Sequence, residues 1–216
     1  MYSGQKLLNY MTLLESSSPS PIGCIKRDLK GNHLDCTEAF EDVMKTYIHP
    51  RLTHIEGRAI EEIYAALQKN DYERIFQIDR NLRTRTSPNE IDREMRRSGK
   101  KLLKLSKSLY PWINFTPVAE ALQAEKTFGC PAIFYAWINF HLEIPCSEAV
   151  PVYLYHQTTA YVDHCAQLLS LDDVTRRKML TRMIDDVAER WLRVQPHLTP
   201  SFMPTMPFES PIQKTL

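Results

Sequence analysis

An apolar run at residues 131–142, PAIFYAWINFHL, constrains the fold of this chain more than any other stretch. On a helix, its side chains are apolar on nearly every side and include Phe134, Trp137 and Phe140. A helix without a polar face must be covered all round by other elements. The run is too short to cross a membrane, because a spanning helix needs about 20 apolar residues. We therefore expect an all-α fold, a single compact multi-helix domain with this buried helix at its centre.

A second helix of the centre is expected to begin at Ser147, a residue suited to cap an N-terminus. Glu148 lies in its first turn, where the helix dipole favours negative charge. The 3.6-residue period gives this helix an apolar side and a polar side, which we call the polar seam. The seam is either a solvated or helix-contacting face, or a surface that binds a partner. The apolar side consists of Val150, Leu154, Tyr161, Cys165 and Leu168. The polar seam consists of Tyr153, His156, Ala160, Asp163 and Gln167.

Amphipathic segments on both sides of this centre predict that helices make up most of the chain. Asp35 and Glu38 resemble a capping box, and Pro50 is expected to end the helix that they begin. Ser170 and Asp173 are the expected caps of the last long helix. The other helical segments that the apolar spacing predicts lie at residues 5–15, 35–49, 55–70, 71–82, 87–109, 116–126 and 173–195.

The charge balance argues against a protein-wide attraction to nucleic acid or to anionic lipid. The chain has 216 residues, with 27 Lys and Arg against 26 Asp and Glu, so its net charge is +1. A chain of this length most simply forms one domain, which we expect at residues 1–195. Five prolines after Gln195 predict a mobile, extended tail at residues 196–216.

The cysteines predict reduced thiols rather than a disulfide framework or a zinc ribbon. Their number is odd, five, and no two of them form a C-x-x-C pair. The N-terminal residues also lack the apolar stretch and cleavage site of a secretory signal peptide. We therefore expect a cytoplasmic protein.

The motifs of common catalytic and metal sites are absent from the sequence. It contains neither G-x-x-x-x-G-K-[ST] nor G-x-G-x-x-G, so it has no recognisable phosphate-binding loop, and we expect no nucleotide hydrolysis. H-E-x-x-H is also absent, and the seven histidines never lie three or four residues apart. We expect no catalytic residue, metal ligand or cofactor. A small helical enzyme that uses the polar seam near His156 and Asp163 remains an alternative.

A row of basic residues is the most distinctive electrostatic feature of the sequence. It lies on one side of the long helix expected at residues 87–109, opposite an apolar side. This basic stripe is either a solvated face or a surface that docks an acidic protein or a phosphate-rich ligand. The stripe consists of Arg93, Arg96, Arg97, Lys100, Lys101, Lys104 and Lys107.

Two small residues, Ser98 and Gly99, interrupt the apolar side of the same helix. Small side chains let another backbone approach closely. We therefore expect a second helix to cross the long helix at Gly99.

Several segments taken together resemble the urease accessory protein UreF family. Residues 13–23, LLESSSPSPIG, resemble its N-terminal L-L-x-x-x-S-P-x-x-P-I-G pattern. Gly99 with the following Leu102, Leu103 and Leu105 is similar to its small-x-x-G-x-x-L-L-x-L helix. Residues 131–142 and then 153–155 resemble the central pair of helices of the family. The order of elements agrees with that of the family over residues 7–195.

The resemblance implies a non-catalytic scaffold or chaperone with a dimeric, helical structure. Such a protein binds UreD, also called UreH, and the GTPase UreG while nickel is inserted into apo-urease. The nucleotide chemistry would then belong to UreG. The polar seam and the basic stripe are the candidate partner-binding surfaces, with Tyr153, His156 and Asp163 in the first and Arg93, Arg97, Lys100, Lys101 and Lys104 in the second. A helical interaction module unrelated to urease is the other alternative.

Overall fold

The computed structural model describes residues 36–84 and 91–194, without the side chains of residues 83–84, 91–95 and 98. Every regular element in these two ranges is a helix. The all-α prediction is therefore confirmed. The helix expected at residues 5–15, the start signals at 87–90 and the tail at 196–216 lie outside the described residues.

Seven helices follow one another along the described chain. The first, α1, spans residues 37–68 without interruption and contains the segments Thr37–Val43, Met44–Ile48, His49–Arg51, Leu52–Gly57 and Arg58–Gln68. The others are α2 (Tyr72–Thr84), α3 (Ile91–Leu109), α4 (Thr116–Gln123), α5 (Pro131–His141), α6 (Cys146–Leu168) and α7 (Asp173–Val194). No helix of the described residues is long and apolar enough to cross a membrane.

Helix α1 runs through Pro50, so the prediction that this proline ends a helix is wrong. A proline in an α-helix lacks the amide hydrogen and clashes with the carbonyl four residues earlier. Here the segments before and after it, Met44–Ile48 and Leu52–Gly57, are π-helical, and the amide of His49 donates to the carbonyl of Met44. The wider π turns change the hydrogen-bonding register around the proline, which lets the helix continue.

Two of the other helices have an aspartate carboxylate as their N-terminal cap. Asp71 accepts a hydrogen bond from the amide of Arg74 at 3.0 Å and caps α2. Asp172 accepts hydrogen bonds from the amides of Val174 and Thr175, so it caps α7 in place of the expected Ser170 and Asp173. Helix α6 also begins one residue earlier than the expected cap, Ser147, and has no side-chain cap.

Helix α5 lies at the centre of the protein, as predicted. Residues 132–139 are all buried, and Phe134 and Trp137 are each only 1% exposed. The helix packs against α1, α3 and α6, while α7 covers the outer side of α6. Polar atoms of the central helix are satisfied within the core, because the indole of Trp137 donates to the carbonyl of Asn114 at 3.1 Å and Tyr135 donates to that of Ala149 at 2.6 Å.

Candidate functional site

The N-terminal half of the polar seam lies inside the protein. Tyr153 is 2% exposed, and its hydroxyl donates to the carboxylate of Glu56 at 2.6 Å. Arg51 lies 3.4 Å from the same carboxylate and also donates to the hydroxyl of Tyr161. These four residues join α1 to α6. Tyr153 therefore makes an internal contact in the described chain.

The C-terminal half of the seam joins α6 to α7. Asp163 accepts a hydrogen bond from Arg176, and both side chains are partly exposed. Ala160 is also half-buried, whereas Gln167 is exposed. Two of the five seam residues, Tyr153 and Asp163, thus contact another helix.

His156 lies between these two groups and is half-buried. Burial lowers the pKa of its imidazole, which favours the neutral form. Its ring meets that of Tyr155 edge-on, with the two centroids 5.5 Å apart. His156 therefore combines partial exposure with a polar side chain that joins no second helix among the described residues.

The seam does not assemble an acid–base pair or an activated thiol. His156 and Asp163 lie seven residues apart on one helix, about 10 Å along its axis, whereas proton transfer needs hydrogen-bond reach. Burial raises the pKa of the nearby Cys165 to about 11 and that of Cys146 to about 12, so both thiols are protonated and poorly nucleophilic at neutral pH. Burial also holds the pKa of Cys130 well above its ordinary value. The geometry disfavours the alternative of an enzyme that uses this seam.

The basic stripe is exposed along the outer side of α3. Arg97, Lys100, Lys101, Lys104 and Lys107 are all exposed, whereas the side chain of Arg93 lies outside the described residues. Within the described ranges these four lysines form no ion pair.

Arg96 marks the inner edge of the stripe and is held by the protein itself. Its guanidinium lies over the ring of Phe128, 4.6 Å from the centroid, and 3.5 Å from the carboxylate of Glu125. A cation over an aromatic face is attracted by the ring quadrupole. Arg96 therefore links α3 to the loop before α5. The exposed lysines of the stripe supply the positive charge that a partner can contact.

Gly99 positions the stripe by letting α3 press against that loop. A Cβ atom at Gly99 would lie 2.2 Å from the carbonyl oxygen of Phe128 and 3.1 Å from the Cα of Gly129. The prediction of a close approach at Gly99 is confirmed, but the neighbour is the loop at residues 127–130 rather than a helix. The side chain of Ser98 lies outside the described residues.

Asp79, a fully buried residue of α2, holds the same loop in place. Its carboxylate accepts hydrogen bonds from the hydroxyl of Thr127 and from the amides of Phe128, Gly129 and Cys130. A buried carboxylate is tolerated where donors converge on it in this way. Asp79 was not predicted from the sequence, and its one local signal is that it shares a helix side with Ile75 and Leu82, at i−4 and i+3.

A second buried polar contact that was not predicted from the sequence joins α1 to α7. His49 is fully buried, and its Nδ1 lies 2.6 Å from the carboxylate of Asp186, which also accepts from Arg190 at 2.7 Å. Burial lowers the pKa of His49 more than the hydrogen bond to Asp186 raises it. Within the described residues, no group of three or more His, Cys, Asp or Glu side chains is arranged to hold a metal ion.

Comparisons with known proteins agree with one another. The family model for UreF matches residues 35–184, more than half of the chain. A urease accessory protein UreF from Lachnoclostridium phytofermentans is 29% identical over 154 residues, which cover 71% of this chain and 68% of that protein.

The described residues thus form an all-helical protein with charged outer faces and a largely apolar centre. The chain belongs to the UreF family of urease accessory proteins. This membership makes it an accessory protein rather than an enzyme, and it overturns the alternative of an interaction module unrelated to urease.

Proposed function

We propose that this protein is a non-catalytic scaffold for urease maturation, which binds UreD, also called UreH, and the GTPase UreG while nickel is inserted into apo-urease. It acts in the cytoplasm and as a homodimer. Family membership supports the accessory role. The observation that carries the binding proposal is the row of exposed lysines on α3, which have no acidic partner in the described chain.

The lysines of the stripe favour an acidic protein partner. A protein with a net charge of +1 has no overall field, so the stripe is a local positive surface. Exposed charges of this kind speed association and set its orientation when the partner has the opposite sign. Arg97 extends the same surface toward the N-terminus of α3, and the helical spacing of the sequence predicts that Arg93 belongs to the same stripe.

We expect the polar seam to contribute less to partner binding than the basic stripe. The hydroxyl of Tyr153 and the carboxylate of Asp163 are engaged in contacts inside the protein. His156 is half-buried on the same side of α6 and remains the candidate contact from the seam. Partner binding therefore depends mainly on α3, with His156 as a secondary contact.

Co-purification with UreD and UreG from the same urease system tests the proposal. We expect the protein to bind UreD, and to bind UreG through that complex. Alone it should show no GTPase activity, because the sequence has no phosphate-binding loop. A purified protein that binds neither partner at low ionic strength would contradict the scaffold function.

A further inference from the structure

An exposed tryptophan, Trp112, lies where the basic stripe ends. It is 63% exposed, although the residues around it in sequence, Tyr110, Ile113 and Phe115, are all buried. Burial of an aromatic ring is among the largest single contributions that a side chain makes to a fold or an interface. Because most of its surface is exposed, the ring of Trp112 can bury further apolar area against a partner.

The loop that carries Trp112 is anchored at both ends. The amide of Tyr110 donates to the carbonyl of Ser106 at 2.8 Å, and that of Ile113 donates to the carbonyl of Tyr110 at 3.0 Å. On the other side of Trp112, the carbonyl of Asn114 accepts from the buried indole of Trp137. The rings of Trp112 and Tyr110 also meet edge-on, 5.8 Å apart. The exposed ring is therefore presented by a preorganised loop, which lowers the entropic cost of binding.

A shallow groove joins this ring to the basic stripe. It has a volume of about 390 Å³ and is lined by residues 111–116 together with Lys107. Lys100, Lys104 and Lys107 follow one another at i, i+4 and i+7, so they share one side of α3, and Lys107 lines the groove. Positive charge and an apolar ring thus belong to one continuous surface.

We propose that this surface docks an acidic segment of a protein partner, whose apolar side chain packs on Trp112 in the groove while its carboxylates face Lys100, Lys104 and Lys107. Charge complementarity identifies the occupant, because the described chain supplies no carboxylate to these lysines. This inference rests on the proposed scaffold function in so far as both use the lysines of α3. Single-stranded nucleic acid fits less well, because its binding uses successive aromatic platforms and a larger basic excess than +1.

Anisotropy of a dye-labelled probe tests the docking surface on the full chain. The probe is a short polyglutamate peptide with one central phenylalanine, and its matched control has serine in place of the phenylalanine. We expect the phenylalanine peptide to bind roughly tenfold more tightly than the serine peptide, since apolar burial on Trp112 accounts for the difference. Trp112→Ser should remove that advantage, whereas Val174→Ser, at an equally exposed position on α7, should keep it. Lys107→Glu should weaken both peptides.

Intrinsic fluorescence supplies a readout that needs no variant. Of the three tryptophans, Trp137 and Trp191 are buried, so iodide quenching reports mainly on Trp112. The phenylalanine peptide should protect Trp112 from iodide. Equal binding of the two peptides, unchanged quenching, or tighter binding of an oligothymidylate would overturn the inference. These outcomes are measured separately from the co-purification with UreD and UreG, so the failure of one proposal can be distinguished from the failure of the other.

Discussion

The carboxylate of Asp79 on α2 accepts a hydrogen bond from the backbone amide of Cys130, 3.0 Å away at the N-terminus of α5. This contact ties a surface helix to the start of the central helix. The loop that it holds is also the one against which Gly99 of α3 packs. The position of the basic stripe therefore depends on a buried carboxylate on a different helix.

Asp79→Asn should destabilise the protein without changing its helical fold. Thr127, Phe128 and Gly129 donate to Oδ2 of Asp79, and asparagine cannot accept hydrogen bonds there if its amide oxygen faces Cys130. Leaving buried donors without an acceptor costs about 1–3 kcal/mol. Urea denaturation measures the loss, with the exposed Asp42→Asn as a control. Equal stability of the two variants would show that the loop does not depend on this carboxylate.

Gly99→Ala should lower the melting temperature even though alanine is the better helix former. The added Cβ would lie 2.2 Å from a backbone oxygen, so either α3 or the loop must move. Overpacking of this kind costs about 1–3 kcal/mol, more than the gain of up to about 1 kcal/mol from helix propensity. Ser108→Ala, at an exposed position of the same helix, is the matched control. A melting temperature at or above that of the unchanged protein would contradict the close packing.

Tyr153→Phe separates an internal role of this residue from a role in binding. Removing the hydroxyl deletes the hydrogen bond to Glu56 and should cost about 1–3 kcal/mol, because the acceptor is a charged group. Affinity for UreD should stay unchanged, since Tyr153 is 2% exposed. Thermal unfolding and titration calorimetry measure the two effects. A loss of affinity with unchanged stability would instead place Tyr153 in the interface.

Stability should decrease as the pH falls through the ordinary histidine pKa near 6.5. Burial lowers the pKa values of His49 and His156, so the unfolded chain binds protons that the folded protein excludes. The free energy of unfolding therefore decreases as the pH falls below that value. Urea midpoints from about pH 7.5 to about pH 5 measure the dependence. His156→Gln should reduce the slope of unfolding free energy against pH. The control His54→Gln, which removes an exposed imidazole from α1, should reduce it less. Equal slopes for the two variants would contradict the contribution of His156.

Local pattern was sufficient to predict the elements that contain strong apolar signals. The run at residues 131–142 predicted a buried helix because no orientation of it exposes a polar face. The same reasoning failed at Pro50, because two π-helical segments alter the hydrogen-bonding register around it. The local sequence pattern predicts the conformation that a segment prefers by itself. At Pro50, tertiary packing around α1 overrides the preference of proline to end a helix.

Contacts between residues that lie far apart in the sequence could not be predicted from local sequence patterns. A glycine at position 99 indicates a close approach, but nothing in its neighbourhood shows that a loop rather than a helix approaches. The burial of Tyr153 depends on Glu56, which lies on another helix, and the exposure of Trp112 depends on how its loop is anchored. The exposed lysines of the candidate site were predicted from α3 alone, because helical spacing determines which side they share.

The kinetics of association with the UreD partner, with and without UreG, show whether the basic stripe of α3 docks a partner. The variant Lys100→Glu with Lys101→Glu and Lys104→Glu reverses the middle of the basic stripe. A control with Lys69→Glu, Arg177→Glu and Lys178→Glu makes the same charge change at exposed sites outside α3. Surface plasmon resonance at low and high salt should show a slower association rate and a weaker salt dependence for the stripe variant alone, with unchanged circular dichroism. If both variants associate as the unchanged protein does, the stripe is a solvated face and the docking account is wrong.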